Sequence, residues 1–250
     1  MAFQTVFKRY ELKYMLIPEQ KEKILEAMSP YMELDKYGRT TIRNVYFDTD
    51  SYRLVRRSIE KPAYKEKLRI RSYSQATANS TVFVELKKKY EKVVYKRRLP
   101  LCEADAMSWI CREQACPFDT QISREIDYFI DFYGKLKPTV FLAYEREAYY
   151  DKGGADFRVT FDDNILARQT NVNLCSNVYG EQILPEGNVL MELKCSGGIP
   201  LWMVEVLSRE RIYKTSFSKY GTAYTTLIFP AIYLPNSTKP KEIITNGCNI

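Results

Sequence analysis

The chain has 250 residues, of which 45% are hydrophobic and 28% are charged, so it is long enough to bury a substantial core. It contains no histidine, which excludes Ser-His and Cys-His nucleophiles, His-ligated zinc and histidine as a general base. The formal net charge is +7, and the six cysteines form no CxxC pair, which argues against a disulfide scaffold or a zinc ribbon.

Strand-like segments dominate the chain, and helical segments separate them. Alternating apolar residues mark the strands, and apolar residues at spacings of three and four mark the helices. In chain order the pattern predicts a strand at 7–14, a helix at 18–28, strands at 41–48, 64–73, 81–89 and 92–99, helices at 103–113 and 120–133, strands at 139–149, 156–162 and 189–195, and helices at 200–210 and 218–229. This succession indicates an α+β fold, an antiparallel β-barrel tunnel with helices packed outside.

The pattern of the sequence also predicts the domain bounds and the cellular location. We predict one domain over residues 1–234 and a loosely ordered tail over residues 235–250. No apolar run approaches the roughly 20 residues of a membrane-spanning helix. Charged residues interrupt the N-terminus at once, so it lacks the apolar core of a signal peptide. We therefore expect a cytoplasmic protein without a membrane segment.

Lysine and arginine recur on one face of the predicted strands. Successive side chains of a strand point to opposite faces, so Arg69 and Arg71 share one face while Leu68 and Ile70 share the other. The same alternation places on the polar faces Lys13, Lys65, Lys67, Lys87, Lys96, Arg98, Arg146, Arg158 and Lys194. For one strand alone, a solvated polar face is the ordinary interpretation. If the whole sheet closes, its lumen is lined by cations that a polyanion such as a phosphate chain would neutralise.

Carboxylates are interspersed among these cations, and they suit the metal chemistry of phosphates. They are Glu11, Glu85, Asp162 and Glu192. Mg²⁺ and Mn²⁺ take oxygen ligands, usually one or two carboxylates together with phosphate oxygens and water. Salt bridges to neighbouring lysines and arginines are the alternative role of each carboxylate, and the sequence leaves both roles open.

Short motifs follow one another in a specific order from about residue 7 to about residue 229. They are ELKY at 11–14, VYFDTDSY at 45–52, LRIR at 68–71, ELK at 85–87, KRR at 96–98, YER at 144–146, FRV at 157–159, MELK at 191–194 and SKY at 218–220. This succession resembles the VTC domain, the polyphosphate polymerase domain of the vacuolar transporter chaperone and a branch of the triphosphate tunnel metalloenzymes.

The resemblance implies an antiparallel tunnel that binds triphosphate through its inner cations. The residues it implies for catalysis are Arg69, Arg71, Arg146, Arg158 and Lys219. The phosphate-binding residues would be Lys13, Lys87, Lys96, Arg98, Lys194 and Ser218. Glu192 would hold Mn²⁺ or Mg²⁺, and strand alternation adds Glu85 and Glu11 as further candidates. In contrast to the eukaryotic members we expect no regulatory SPX domain, and hence a stand-alone member of the bacterial type.

The leading hypothesis is a polyphosphate polymerase that transfers the γ-phosphate of ATP, or of another nucleoside triphosphate, to a growing polyphosphate chain. Its acceptor is already anionic and needs no strong base, which agrees with the absence of histidine. The alternatives are a triphosphatase of the same fold and a non-enzymatic binder of polyphosphate or nucleic acid. The expected partners are ATP, polyphosphate and pyrophosphate. No nucleic acid is expected, because the aromatic residues of the first strand fall on its apolar face.

Overall fold

The computed structural model describes residues 10–91 and 93–234. The strands are β1 (Tyr10–Leu16), β2 (Met32–Leu34), β3 (Thr40–Asp48), β4 (Tyr64–Ser72), β5 (Thr81–Tyr90), β6 (Val93–Cys102), β7 (Lys137–Asp151), β8 (Phe157–Arg168), β9 (Glu181–Gln182), β10 (Val189–Cys195) and β11 (Lys214–Thr215). The helices are α1 (Pro18–Met28), α2 (Arg53–Ile59), α3 (Glu103–Ile110), α4 (Gln121–Tyr133), α5 (Leu201–Arg209), α6 (Lys219–Ala223) and α7 (Phe229–Tyr233). A π-helical turn at Tyr224–Ile228 joins α6 to α7.

The strands form one antiparallel sheet that curls around its polar face. Its order is β11-β1-β10-β8-β7-β3-β4-β5-β6, with β2 paired to β7 and β9 paired to β8. Within the described residues no strand pairing joins β6 to β11, so the hydrogen-bonded path is open there. The two arms of the sheet meet through side chains, since Lys87 on β5 donates to Glu11 on β1 over 2.9 Å. The curled sheet therefore encloses its inner face as a barrel-like tunnel.

Two apolar clusters cover the outer face of the sheet. On one arm, Leu68 of β4 is buried beneath α3 and α4, which contribute Trp109 and Phe129. On the other arm, Met191 of β10 packs in a cluster with Ile24 of α1 and with residues of α5. Each fully buried apolar side chain of this size stabilises the fold by about 1.5–3 kcal/mol. These clusters turn the cation-bearing face of the sheet inward, because the apolar face is occupied by helices.

The closing helical segment packs against the inner face instead. Tyr220 and Tyr224 join an apolar cluster with Tyr46 and Tyr144, which share strand faces with the inner cations. The ring of Tyr220 stacks on that of Tyr46 with centroids 4.8 Å apart. Since Lys219 is the first residue of α6, this packing carries its ammonium group into the interior.

Buried Asp48 connects the end of β3 to α2 and to α6. Its carboxylate accepts hydrogen bonds from the backbone N–H groups of Leu54 and Val55 and from the hydroxyl of Tyr220, each at 2.9 Å. The first N–H groups of a helix have no partner within the helix, and a carboxylate at this position supplies one. Asp48 thereby fixes α2 and the closing segment to the same point of the sheet.

The predicted α+β architecture, with antiparallel strands and helices on the outer face, is confirmed. The bounds of α1 and β10 agree with the prediction, whereas β8 continues to Arg168 because it pairs with the long strand β7 and with β9. The pattern does not predict α2, whose seven residues are too few to show a helical period. The closing segment, predicted as one helix at 218–229, differs from the other helices because it lies on the inner face, where its tyrosines fill the apolar part of that face.

Two predicted segments cannot be compared with the structure. The predicted tail at 235–250 and the start of the predicted first strand, before Tyr10, lie outside the described residues. Among the helices that the structure describes, none combines the length and the apolar character needed to cross a membrane.

Replacing Asp48 tests the connection between β3, α2 and α6. We expect Asp48→Ala to lower the free energy of unfolding by about 2–4 kcal/mol, because buried donors lose their acceptor. Urea denaturation would measure the change. The control is Asp50→Ala, which removes only an exposed ion pair with Lys137 and should alter stability by less than about 1 kcal/mol. Equal losses in both variants would contradict the role given to Asp48.

Candidate functional site

The inner face brings the predicted site residues together around carboxylates. The Glu85 cluster consists of Glu85 with Arg69, Arg71, Lys96 and Arg98. The Asp162–Glu192 cluster consists of these two carboxylates with Lys13, Arg146, Lys194 and Lys219. The remaining predicted residues lie beside the clusters and are Glu11, Lys87, Arg158 and Ser218. The cations outnumber the carboxylates, so the inner face carries net positive charge.

Cross-strand register builds the Glu85 cluster. Glu85 lies directly opposite Arg69 on β4 and opposite Arg98 on β6. Its side chain is 1% exposed, and it accepts hydrogen bonds from Arg69 at 2.7 Å and Arg98 at 2.6 Å. Lys96 lies 2.7 Å from the same carboxylate. Burial by itself would raise the pKa of Glu85, but Arg71, Arg69 and Lys96 hold it well below the ordinary value.

Asp162 is the second carboxylate that cations saturate. It is fully buried, and Arg146 grips it with two hydrogen bonds of 2.5 and 2.6 Å. Lys219, brought inward by α6, donates to the same carboxylate. Although burial opposes ionisation, Arg146 and Lys219 lower the pKa of Asp162. A buried carboxylate in a bidentate pair with arginine is held firmly in one orientation.

Glu192 is buried among cations that stand further away. The ammonium groups of Lys13 and Lys194 are each 3.3 Å from its oxygens, and Arg146 is 3.9 Å away. Lys13 donates its hydrogen bond elsewhere, to the carbonyl oxygen of residue 217 at 2.7 Å. Lys219 is also 3.9 Å away, so all the cation contacts of Glu192 are longer than those that Arg69 and Arg98 make with Glu85. Burial opposes its ionisation, yet Lys13 and Lys194 hold the pKa of Glu192 well below the ordinary value.

Thr160 adds an unpaired polar group beside Glu192. The two residues are directly opposite on β8 and β10. Thr160 is fully buried, and its hydroxyl has no hydrogen-bond partner among the described residues. A buried hydroxyl without a partner is costly, so this position suits a ligand that supplies one.

Glu192 fits the role of a single protein ligand to a metal ion that binds together with a phosphate substrate. In the described part of the chain, no three side chains of histidine, cysteine, aspartate or glutamate converge as a preformed metal cage. Mg²⁺ and Mn²⁺ need only one or two protein carboxylates when phosphate oxygens and water complete their coordination. Glu192 fits this role better than Glu85, because arginines hydrogen-bond to both oxygens of Glu85 at 2.6–2.7 Å, whereas the cations around Glu192 are 3.3 Å or more from its oxygens.

The remaining predicted residues occupy distinct positions along the inner face. Glu11 accepts from Lys87 at 2.9 Å, and its pKa falls to about 2 because Lys87 and Lys194 outweigh the effect of burial. Ser218 caps α6 by accepting from the backbone N–H of residue 221 at 3.1 Å. Arg158 stacks over Tyr150 at 4.6 Å, and no described carboxylate lies within ion-pair distance of it.

Several inner residues are absent from the predicted site. Asp162 and Lys67 lie on the predicted polar faces, so strand alternation was a sufficient signal for them. Thr160 lies on the same predicted face, but its side chain is uncharged, so the charge pattern did not identify it as a site residue. Tyr144 connects the two clusters, since its hydroxyl accepts from Arg71 at 3.2 Å while Lys219 lies 4.4 Å from its ring centroid. Only the tertiary contacts reveal this connection.

Comparison with known proteins gives a family and a fold. The chain matches the model of the VTC domain over residues 8–228. It is similar to the structure of a proposed adenylate cyclase from Bacillus halodurans, with 15% identity and a TM-score of 0.54 over 86% of this chain and 96% of that one. A proposed adenylyl cyclase from Hippeastrum, reported with a dominant triphosphatase activity, has 16% identity and a TM-score of 0.53 over 88% and 96%. At such identities the likeness shows a shared fold, and no curated protein matches the chain.

Replacing Glu85 tests its role as the counter-ion of its cluster. We expect Glu85→Gln to lower the free energy of unfolding by about 3–5 kcal/mol at neutral pH, because buried cations lose their partner. The folded-state pKa of Glu85 is depressed, so its contribution is present above the ordinary value of 4.5 and is lost as pH falls below it. Urea denaturation across pH should therefore show a shallower acid decline in the variant. Exposed Glu60→Gln is the control, and a Glu85→Gln variant as stable as this control would contradict the role.

Replacing Thr160 tests whether its hydroxyl is reserved for a ligand. Thr160→Val removes no hydrogen bond of the protein, so stability should change by less than about 1 kcal/mol. The control is Thr139→Val, which removes a buried hydrogen bond to the Tyr46 carbonyl at 3.0 Å and should cost about 1–3 kcal/mol. Calorimetry should show weaker binding of tripolyphosphate with Mn²⁺ to the Thr160→Val variant. Unchanged binding would remove Thr160 from the ligand site.

Proposed function

The chain belongs to the VTC domain family, and from this premise we propose that it is a metal-dependent polyphosphate polymerase that uses ATP. The observation that carries the proposal is the excess of cations over carboxylates on an enclosed inner face. Such a face is stabilised by an elongated polyanion, which a triphosphate or a polyphosphate chain provides. A cytoplasmic location, where ATP is available, is part of the same proposal.

The triphosphate of ATP would bind these cations through the donor groups that the cluster carboxylates leave unused. Arg69, Arg71, Arg146 and Arg158 would bind phosphate oxygens, because the planar guanidinium group offers paired donors. Lys13, Lys87 and Lys219 would act as point charges. Glu85 and Asp162 keep these cations in fixed positions before the substrate arrives. Fixed donors of this kind are the main source of catalysis in phosphoryl transfer.

Glu192 is the residue we propose to hold the metal, with the Thr160 hydroxyl beside it. A divalent ion there would supply neutralisation of the charge that develops on the leaving diphosphate. Either Mn²⁺ or Mg²⁺ is suited to one protein carboxylate together with phosphate oxygens.

The electrostatics of the carboxylates support a phosphate acceptor rather than water. An effective general base has a pKa near the working pH, whereas the pKa values of Glu11, Glu85, Asp162 and Glu192 are all lowered. A terminal phosphate oxygen of polyphosphate is already anionic and needs no such base. It would form a bond to the γ-phosphorus as the bond from that phosphorus to the β–γ bridging oxygen breaks, and ADP would leave.

A triphosphatase is the second candidate, and Tyr144 is the observation that favours it. Burial opposes its ionisation, but Arg146, Arg71 and Lys219 together lower the pKa of its phenol to about 8. At this pKa part of Tyr144 is phenolate near neutral pH, and the phenolate oxygen would accept a proton from an attacking water. Water and phosphate acceptors give different products, so the two candidates are separable by one assay.

The product formed from ATP decides between the candidates. We expect the purified protein, given ATP and Mn²⁺, to produce a ladder of polyphosphate on a gel, with little orthophosphate in solution. Release of orthophosphate without polymer would contradict the proposed polymerase activity and support the triphosphatase. Glu192→Gln should lose most activity and its response to Mn²⁺, and an unaltered metal response would remove Glu192 from the metal role.

Replacing Arg158 tests the site independently of its internal ion pairs. Arg158→Ala breaks no ion pair with a described carboxylate, so stability should be retained. Its kcat/KM for ATP should fall by the equivalent of about 2–4 kcal/mol, as for loss of one preorganised donor. The matched control is Arg124→Ala on the outer surface of α4, where the side chain is 65% exposed. Wild-type kinetics in both variants would show that the site is misplaced.

A further inference from the structure

Three inner lysines lie apart from the carboxylate clusters. Lys65 and Lys67 are on the same face of β4 as Arg69, and Lys89 is on the same face of β5 as Glu85. Lys65 faces Lys89 directly across the two strands, and Lys67 faces Lys87. No described carboxylate lies within ion-pair distance of Lys65, Lys67 or Lys89. We refer to these three residues as the lysine end.

This arrangement carries an electrostatic cost in the absence of an anion. Like charges directly opposite on neighbouring strands destabilise a sheet. Lys67 is only partly accessible, and burial, followed by the charges of Lys13 and Lys87, lowers its pKa to about 7. Burial and Lys89 also lower the pKa of Lys65. A bound phosphate chain would offset both the burial and the mutual repulsion, because an opposite charge favours the charged form of a lysine.

Neighbouring backbone and side-chain groups hold the lysine end in place. Lys65 donates to the carbonyl oxygen of Ser58, near the end of α2, at 3.2 Å. Lys67 donates to the hydroxyl of Ser218, at the start of α6, at 2.8 Å. Both acceptors are neutral, so they orient the ammonium groups without cancelling their charge. Lys65 and Lys67 are therefore preorganised, and the ammonium group of Lys67 lies at the start of α6, from which Lys219 reaches the Asp162–Glu192 cluster.

The opposite end of the β4–β5 pair has a different chemistry. Arg98 lies 4.3 Å from the ring centroid of Phe83 and 5.8 Å from that of Tyr73. Arg158 stacks on Tyr150, and both Tyr150 and Tyr73 influence the pKa of its guanidinium, which burial lowers. Tyr73 is 42% exposed and Tyr150 41% exposed. Accessible rings beside arginines suit a nucleoside base, since aromatic faces stack on bases.

We propose that Lys65, Lys67 and Lys89 bind the acceptor polyphosphate chain, on the far side of the carboxylate clusters from the nucleoside. The inference rests on the proposed function and gives the tunnel a direction. ATP would lie with its base at the aromatic end and its γ-phosphate toward the lysine end. The acceptor would present its terminal phosphate from the lysine end, and ADP would leave by the aromatic end.

Binding of polyphosphate in the presence of nucleotide tests the assignment without relying on turnover. The full-length protein is first saturated with Mn²⁺ and a non-hydrolysable ATP analogue, and short linear polyphosphate is then titrated by calorimetry. The wild type should form a ternary complex. In the double variant Lys65→Ala, Lys89→Ala, the Kd for polyphosphate should rise about tenfold or more, as expected for the loss of charged hydrogen bonds. The Kd for the ATP analogue should be unchanged.

Lys88→Ala is the matched control, because Lys88 lies between two inner lysines of β5 but points to the outer face. Its ammonium group is 3.9 Å from Glu66 there. This variant should bind both ligands as the wild type does. Unchanged binding of the ATP analogue by the double variant also shows that its fold is retained.

Three results would overturn the assignment. One is exclusion of polyphosphate by the saturating ATP analogue in the wild type, which would mean that both ligands share one site. Another is an unchanged Kd for polyphosphate in the double variant. The third is an equal rise in the Kd of both ligands in that variant. Formation of the expected ternary complex without polymer in the ATP assay would instead reject the polymerase and leave the lysine end as a polyphosphate site.

Discussion

The buried pairing of carboxylates with clustered cations is the interaction on which the interior depends. Glu85 and Asp162 each hold arginine and lysine groups at hydrogen-bond distance inside a curled sheet. Without these two carboxylates the cations would repel one another in a poorly solvated space. With them Arg69, Arg98, Arg146 and Lys219 have raised pKa values and stay charged, and the inner face still carries more positive than negative charge. An incompletely neutralised interior of this kind is a preorganised binding surface for a polyanion.

The four inner carboxylates consequently have unequal roles. Cations occupy the oxygens of Glu85 and Asp162 at short distance, whereas the nearest ammonium groups to Glu192 are 3.3 Å away. The first two define the shape of the site, and Glu192, with the unpaired hydroxyl of Thr160, remains available to a ligand. The same contrast applies to the cations, because Arg69 and Arg146 have carboxylate partners while Arg158 and the lysine end lack them among the described residues. A phosphate substrate would be shared with the carboxylates at the paired arginines, and it would be the first ionic partner of the unpaired cations.

The alternation of residues along the strands predicted most of the side chains that line this site. Strand alternation predicted that Arg69, Lys87 and Glu192 would share the inner face, since a side chain on a strand has only two directions to choose from. It did not reveal that Glu85 would be saturated, because this follows from its register against β4 and β6 at once. Nor did it reveal α2 and the inward closing segment, which depend on contacts such as that of Tyr220 with Asp48, far apart in the chain.

The sequence by itself determined the class of the protein, the sign of its inner surface and the chemistry that is excluded. The composition excludes any mechanism that uses histidine. The alternation of residues along each strand places cations on one face and apolar residues on the other. Both are properties of the covalent chain. Only the tertiary structure decided which cations have a carboxylate partner and which lack one among the described residues, as the difference between Arg146 and Arg158 illustrates. The physical reason is that charge neutralisation depends on distances of a few ångströms between strands and helices distant in sequence, and the folded chain alone fixes those distances.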